Sequence, residues 1–216
     1  MEPLVMIKGV FFKAFKWSCL FICLISLSVI LTIGFTPLYH FFVYQDNLGK
    51  SVGLSNKQLM YEYYHLLAFL NFPWVDQLKL SLEMSYNGLS HFQDVKRLFL
   101  LNHLLFIATL PVSIVFLLKM KREKKLWHMI RPFKAGMALF FVVAAVMVLQ
   151  FNTFFVAFHR LLFRNNNWLF DPKLDPIINA LPDTFFMACF GAFFLLVELF
   201  LTVGIWGGYR SLRRKI

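Results

Sequence analysis

His91 and Asp94 stand three residues apart in SHFQDVKRLF (90–99), directly ahead of a long apolar run. His159 lies in FNTFFVAFHRLLF (151–163), at the end of another. A neutral imidazole titrates near neutral pH, so it can both take and return a proton, and the chemistry such a pair offers is general acid–base catalysis. The plainer reading of each histidine is a polar collar at a lipid–water boundary. A metal site of His91, Asp94 and His159 is a third, although a histidine and an aspartate three apart are weak grounds for one. Other chemistries lack their residues: the chain has no GxSxG elbow, no HExxH and no phosphate-binding glycine loop. A thiol pathway fails too, because Cys19, Cys23 and Cys189 all fall within apolar runs and none faces outward.

The elements that must position these histidines are membrane helices. Of 216 residues, 59% are hydrophobic and 15% charged, with 28 Phe, a composition too apolar for a soluble globule. Four stretches are long enough to cross a hydrocarbon core of roughly 30 Å: about 17–39, 98–118, 133–150 and 185–209. The first has a basic flank at Lys8, Lys13 and Lys16 but no small-residue cleavage site after it, so it reads as an uncleaved anchor. Cys23 follows Leu-Phe-Ile, too bulky for a lipobox. The N-terminal tail, the 119–134 connection and the C-terminal YRSLRRKI carry three, seven and four Lys/Arg against only Glu2 and Glu123. The other eight Lys/Arg stand beside eight Asp/Glu in the two remaining connections. Nearly all the net charge of +11 is thus on one side, and the positive-inside rule makes that side, with both termini, cytoplasmic. Basic runs this short, each flanking a span, suit anionic headgroups rather than nucleic acid.

Two segments then lie outside, about 40–95 and 152–183. In the first, Ser55 and Gln58 form a capping-box pattern ahead of Leu59, Tyr63, Leu66, Leu67 and Leu70 at helical spacing. Leu78, Leu80, Leu82 and Met84 alternate with polar residues, which predicts a strand, and Asn87-Gly88 predicts a turn. The second has an Asn165–Asn167 turn and prolines at 172, 176 and 182. Neither segment is large enough for a core of its own, so the two are expected to pack together as one α+β cap over the outer helix ends. The architecture is a mainly α membrane fold: one membrane domain over 1–216, with four transmembrane helices and a small extracytoplasmic cap.

Ser90 with Gln93 is a second capping-box pattern, which predicts that the second long helix starts at His91. The third run has no breaker before His159, which places that residue on its outward extension. Leu118 back to His91 is 27 residues, about 40 Å of helix, and Phe133 to His159 is 26 residues, about 39 Å. Both imidazoles then reach the outer interface at one depth and can share a site. His103 and Glu198 are ionisable residues within spans: the first reads as packing with an internal hydrogen bond, the second as a carboxyl in need of a partner. His40 and His65 read as cap or interface residues, and His128 as cytoplasmic.

SHFQDVKRLF, taken with FHRLLFRNNNWLFDPKLDPIINALPDTFF from the end of the third span into the fourth, resembles the lipoprotein intramolecular transacylase (Lit) family of Gram-positive membrane proteins. The four-span layout with an outer cap agrees, so the likeness covers nearly the whole chain. The resemblance implies a plasma-membrane enzyme whose active site lies at the extracytoplasmic interface. It would move the acyl chain from the sn-2 oxygen of a diacylglyceryl-cysteine lipoprotein to the amine of the same cysteine, giving a lyso-form lipoprotein. Its partners are the bilayer and lipoprotein N-termini, and it needs neither cofactor nor metal. The family's two catalytic histidines match His91 and His159.

That reaction suits the residues present. The substrate's own amine is the nucleophile, so the enzyme needs none. Attack closes a medium ring through nitrogen, Cα, Cβ, sulfur, two glyceryl carbons, the ester oxygen and the acyl carbon. A confining site offsets the cost of freezing those rotors, by several kcal/mol in favourable cases. Phe155, Phe158, Phe163 and Trp168 are the expected pocket walls, with Phe151, Phe154 and Phe170 beside them. Asp94 is expected to orient His91, Asp171 and Asp175 to hold the cap, and Arg160 or Lys96 to attract a headgroup. Two rival readings stand beside this one: a non-enzymatic lipoprotein-binding or assembly protein, and a metal-dependent membrane hydrolase. A transporter fits poorly, because Pro111 is the one proline deep in a span and paired midplane breaks are missing.

Overall fold

The computed structural model of the protein describes residues 3–213, with side chains from residue 11 onward. Of the charges counted above, Glu2, Arg214, Lys215 and the Lys8 side chain lie outside them. The chain is mainly helical: α1 (Pro3–Gly34), α2 (Thr36–Gln45), α3 (Leu48–Ser51), α4 (Asn56–Asn71), α5 (Tyr86–Arg122), α6 (Ile130–Leu149), α7 (Phe151–Leu162), α8 (Ile177–Ala180) and α9 (Asp183–Arg213). A 3-10 turn, Leu126–Met129, precedes α6. Four helical stretches are long and apolar enough to cross a membrane: Phe11–Gln45, Tyr86–Arg122, Leu126–Leu149 and Asp183–Arg213. The chain divides into two compact units.

The first unit comprises Met1–Ile30, Asn102–Val143 and Phe193–Ile216. Its core joins Leu20, Met120, Phe133, Val197 and Leu201, with Trp17 set edge-on to Phe116 at 5.3 Å between ring centroids. Lipid tails are as apolar as leucine, so helices in a membrane are held by close packing rather than by escape from water. Gly204 provides that closeness, since a Cβ there would collide with the Phe133 ring. The hydroxyls of Ser28, Thr109 and Ser113 donate to carbonyls four residues back at 2.9, 2.7 and 2.8 Å, which satisfies them without water.

The second unit comprises Leu31–Leu101 and Ala144–Ala192. Within it the two segments between spans pack against each other around Tyr39, Val43, Leu59, Phe69, Phe92 and Ile177. The Tyr39 hydroxyl donates to the Ala180 carbonyl at 2.8 Å, which joins α2 to α8. Helix α4 forms as its sequence predicts. The Ser55 side chain accepts from the Gln58 N–H while the Gln58 side chain accepts from the Ser55 N–H, and Leu59, Leu66 and Leu70 are buried.

Three expectations are corrected. No strand forms among the described residues. The alternation at 78–84 is used, for Leu78, Leu80, Leu82 and Met84 all pack on the core. The backbone, however, pairs with carboxylates instead of a second strand: the Ser81 N–H donates to Glu62 and the Ser85 N–H to Asp175, at 3.1 and 2.7 Å. Secondly, Asn87-Gly88 is no turn. It lies in the first turn of α5, which begins at Tyr86 rather than His91 because Ser85, not Ser90, caps it by accepting from the Gly88 N–H at 3.0 Å. Thirdly, the long third helix does not run unbroken to His159. Gln150 leaves helical geometry (φ −138°, ψ 51°) and α7 is a separate helix.

Candidate active site

His91 sits in the second turn of α5 and is buried, and His159 sits near the end of the twelve-residue α7. Both belong to the second unit, and their ring centroids are 5.9 Å apart. The break at Gln150 removes one arm of the depth comparison, yet the two rings still meet.

Aromatic rings enclose the pair. Phe163 lies 4.8 Å from His91 and 5.7 Å from His159, so it touches both. Phe170 packs edge-on against His91 at 5.5 Å. Phe155 and Trp168 flank His159 at 4.1 and 4.9 Å, with Phe158 at 5.6 Å. Phe163 and Trp168 are themselves buried.

His159 is held in one tautomer. Its Nδ1 lies 2.8 Å from the Phe155 carbonyl, one turn back on α7. A carbonyl only accepts, so Nδ1 carries the proton and donates, and the Nε2 lone pair is left available. Burial pushes the His159 pKa below the ordinary histidine value, and the Phe155 carbonyl, which favours the protonated ring, offsets part of that shift. His91 lacks such a tether: its Nδ1 is buried without a hydrogen-bond partner.

The asparagine turn after α7 binds α5 on both sides of His91. Asn167 donates to the Ser90 hydroxyl at 3.2 Å, and Asn165 donates to Asp94 at 3.0 Å. The second Asp94 oxygen accepts from Arg97 at 2.8 Å, and no hydrogen bond joins Asp94 to His91 among the described residues. The Asn165 carbonyl accepts the Trp168 indole N–H at 3.0 Å, which steadies the ring beside His159. Asp175 is buried and accepts from the N–H and hydroxyl of Ser85 at 2.7 and 2.9 Å. A carboxylate at a helix N-terminus also suits the helix dipole. Asp171 is exposed and accepts from the Lys173 N–H at 2.9 Å, shaping the proline turn, and Arg160 is exposed. Lys96 donates to the Val75 carbonyl and lies over the Phe69 ring, so it serves packing. His103 and Glu198 belong to the first unit, where the Glu198 Oε1 is buried without a hydrogen-bond partner. Among the described residues no group of three or more His, Cys, Asp or Glu is placed to hold a metal ion.

The model of the family described as lipoprotein intramolecular transacylase Lit matches residues 14–186. The chain belongs to this family. The fold of this Lit-family chain is similar to the in meso structure of the membrane integral lipoprotein intramolecular transacylase Lit from Bacillus cereus. The TM-score is 0.82 and the identity 29%, over 93% of each chain. A form of that B. cereus protein with a histidine-to-arginine mutation gives a TM-score of 0.80 at 23% identity, over 98% of this chain and 96% of the other. A histidine-to-alanine form gives the same score and identity, over 99% of both. No curated protein sequence matches. Both histidines, the asparagine turn and Asp175 lie inside the stretch matched to Lit. Sequence reasoning missed Ser85, Asn165 and Asn167 as supports of the site; the NNN run signalled a turn, and nothing local marked what its side chains would reach.

Proposed function

We propose that this Lit-family protein is an intramolecular O-to-N transacylase, in which His91 and His159 act as general acid and base on a diacylglyceryl-cysteine lipoprotein. The observation that carries the reading is the pair of rings 5.9 Å apart within one aromatic enclosure. Two imidazoles at that separation can both serve one tetrahedral centre.

His159 is the base. Its Nε2 lone pair takes a proton from the substrate amine as the nitrogen attacks the sn-2 ester carbonyl. His91 receives that proton from His159, directly or through solvent, and passes it to the glyceryl oxygen as the carbon–oxygen bond breaks, so both rings end neutral and no net proton is consumed. Phe155, Phe158, Phe163, Phe170 and Trp168 exclude water, which would otherwise hydrolyse the ester, and confine the ring-closing conformer. Asp94 and Asp175 are positioning residues: Asp94 ties α5 to the turn after α7, and Asp175 anchors the first turn of α5. The unit that holds the histidines faces the outside of the cell membrane, where lipoprotein N-termini are found. Two features of the geometry support this reading over a metal-dependent hydrolase: both Asp94 oxygens have partners, and no group of three His, Cys, Asp or Glu is placed to hold a metal ion among the described residues.

The experiment is mass spectrometry of lipoprotein N-terminal peptides from cells with and without the protein. The protein should convert the diacylglyceryl form with a free amine into the N-acylated lyso form. His91→Ala and His159→Ala should each lower conversion by at least about 100-fold, within the usual range for a lost general acid or base, with the folded protein still present in the membrane. A protein that leaves every amine free is no transacylase.

A further inference from the structure

We infer that the first unit carries a binding site for an anionic phospholipid headgroup, in a cavity between α1 and the C-terminal end of α5. The cavity has a volume of about 320 Å³. Lys13 and Lys16 of α1 line it from one side, and Lys119 of α5 and Lys125, in the connection after α5, line it from the other. The apolar part of the wall includes Trp17 and Phe116, an edge-on pair packed against the core, with Phe12 and Met120.

Four lysines converge on this cavity and one carboxylate, Glu123, opposes them. Glu123 is shared by two: its oxygens lie 3.8 Å from the Lys119 nitrogen and 2.9 Å from that of Lys125. Lys13 and Lys16 form no ion pair among the described residues. The site therefore keeps a surplus of three positive charges, four less one, over a hollow with an aromatic wall. Surface lysines that only flank a span would need no such hollow. A phosphodiester headgroup supplies the missing negative charge, and the first carbons of its acyl chains fit against Trp17 and Phe116. These helices belong to a membrane-integral fold, so lipid of the adjoining leaflet is the occupant at hand.

The test is native mass spectrometry of the full chain in detergent, titrated with short-chain phosphatidylglycerol, phosphatidylcholine or inorganic phosphate. One phosphatidylglycerol should be retained at least about tenfold more tightly than phosphatidylcholine. A lysine near an anionic lipid group is worth about fivefold in binding, so K13Q/K16Q should weaken phosphatidylglycerol by about 25-fold. K121Q removes a charge from the last turn of α5 without touching the cavity, and should cost less than about twofold. Equal losses in both variants would mean diffuse attraction to basic helix ends and would overturn the site. Displacement of the lipid by millimolar inorganic phosphate would overturn the choice of a lipid. Lys13 is exposed, so glutamine there is tolerated, and K119Q gives a second reading from the other wall.

Discussion

His159 commits its Nδ1 proton to the Phe155 carbonyl, and that bond decides what the ring can do next. The base form is the neutral ring with Nε2 open. Burial lowers its pKa below the ordinary value of 6.5. A base is active when deprotonated, so a lowered pKa moves the acid limb of the rate profile to lower pH. We expect the limb that His159 contributes to the kcat/KM profile, separated from the ionisation of the substrate amine at about 7.7–8.0, to have its midpoint below 6.5; a midpoint at or above that value for the enzyme's own limb would place the base elsewhere. Each histidine was legible in the sequence as a candidate at the mouth of an apolar run, but the equal-depth reason for pairing them assumed an unbroken third helix, which Gln150 interrupts. The tautomer was not, since it depends on which carbonyl lies within 3 Å. Asp94 shows the same limit: an aspartate three residues from a histidine reads as its partner, while the structure gives its oxygens to Arg97 and Asn165.

At the scale of elements, the start of α5 places His91, and Asp175 holds that start. Asp175 lies ninety residues from Ser85 in the chain and accepts both of its donors. Asp175→Ala would leave a backbone N–H and a hydroxyl without their partner, a loss of about 2 kcal/mol. The purified variant should melt several degrees lower and turn over more slowly, while Asp175→Asn, which keeps the acceptor, should lose less. Gly88→Ala tests the same joint from the other side. A Cβ there would run into the Asp175 carboxylate, and neither group is free to retreat, so it should cost about 1–3 kcal/mol. This joint also explains where the sequence misleads. The Ser55 cap of α4 was legible because both of its partners lie within four residues. Ser85 and Ser90 both look like caps, and the choice between them is made by a distant carboxylate. The 78–84 alternation correctly marks a stretch with one buried side, but what its backbone pairs with is the Glu62 side chain.

At the scale of the molecule, what remains is which way the chain faces. The runs at the N-terminus, at 119–134 and at the C-terminus hold three, seven and four Lys/Arg, while the other two connections balance eight against eight. Lys and Arg resist transfer across the membrane, so the first group is expected inside and the histidines outside. Cys19 and Cys23 are buried and Cys189 is partly so, which makes a cysteine-free background practical. In that background Tyr86→Cys, at the highly exposed start of α5, should react with an impermeant thiol reagent on intact cells. Lys121→Cys, in the last turn of the same helix, should react only after lysis. Both sites lie on one continuous helix of 37 residues, about 55 Å long at 1.5 Å per residue, which exceeds a hydrocarbon core of roughly 30 Å. A helix of that length that crosses the bilayer exposes its ends on opposite sides, so the labelling is expected to be reciprocal. The reverse pattern would put His91 and His159 on the inner face, away from any lipoprotein N-terminus freed outside, and the proposed reaction would lose its substrate.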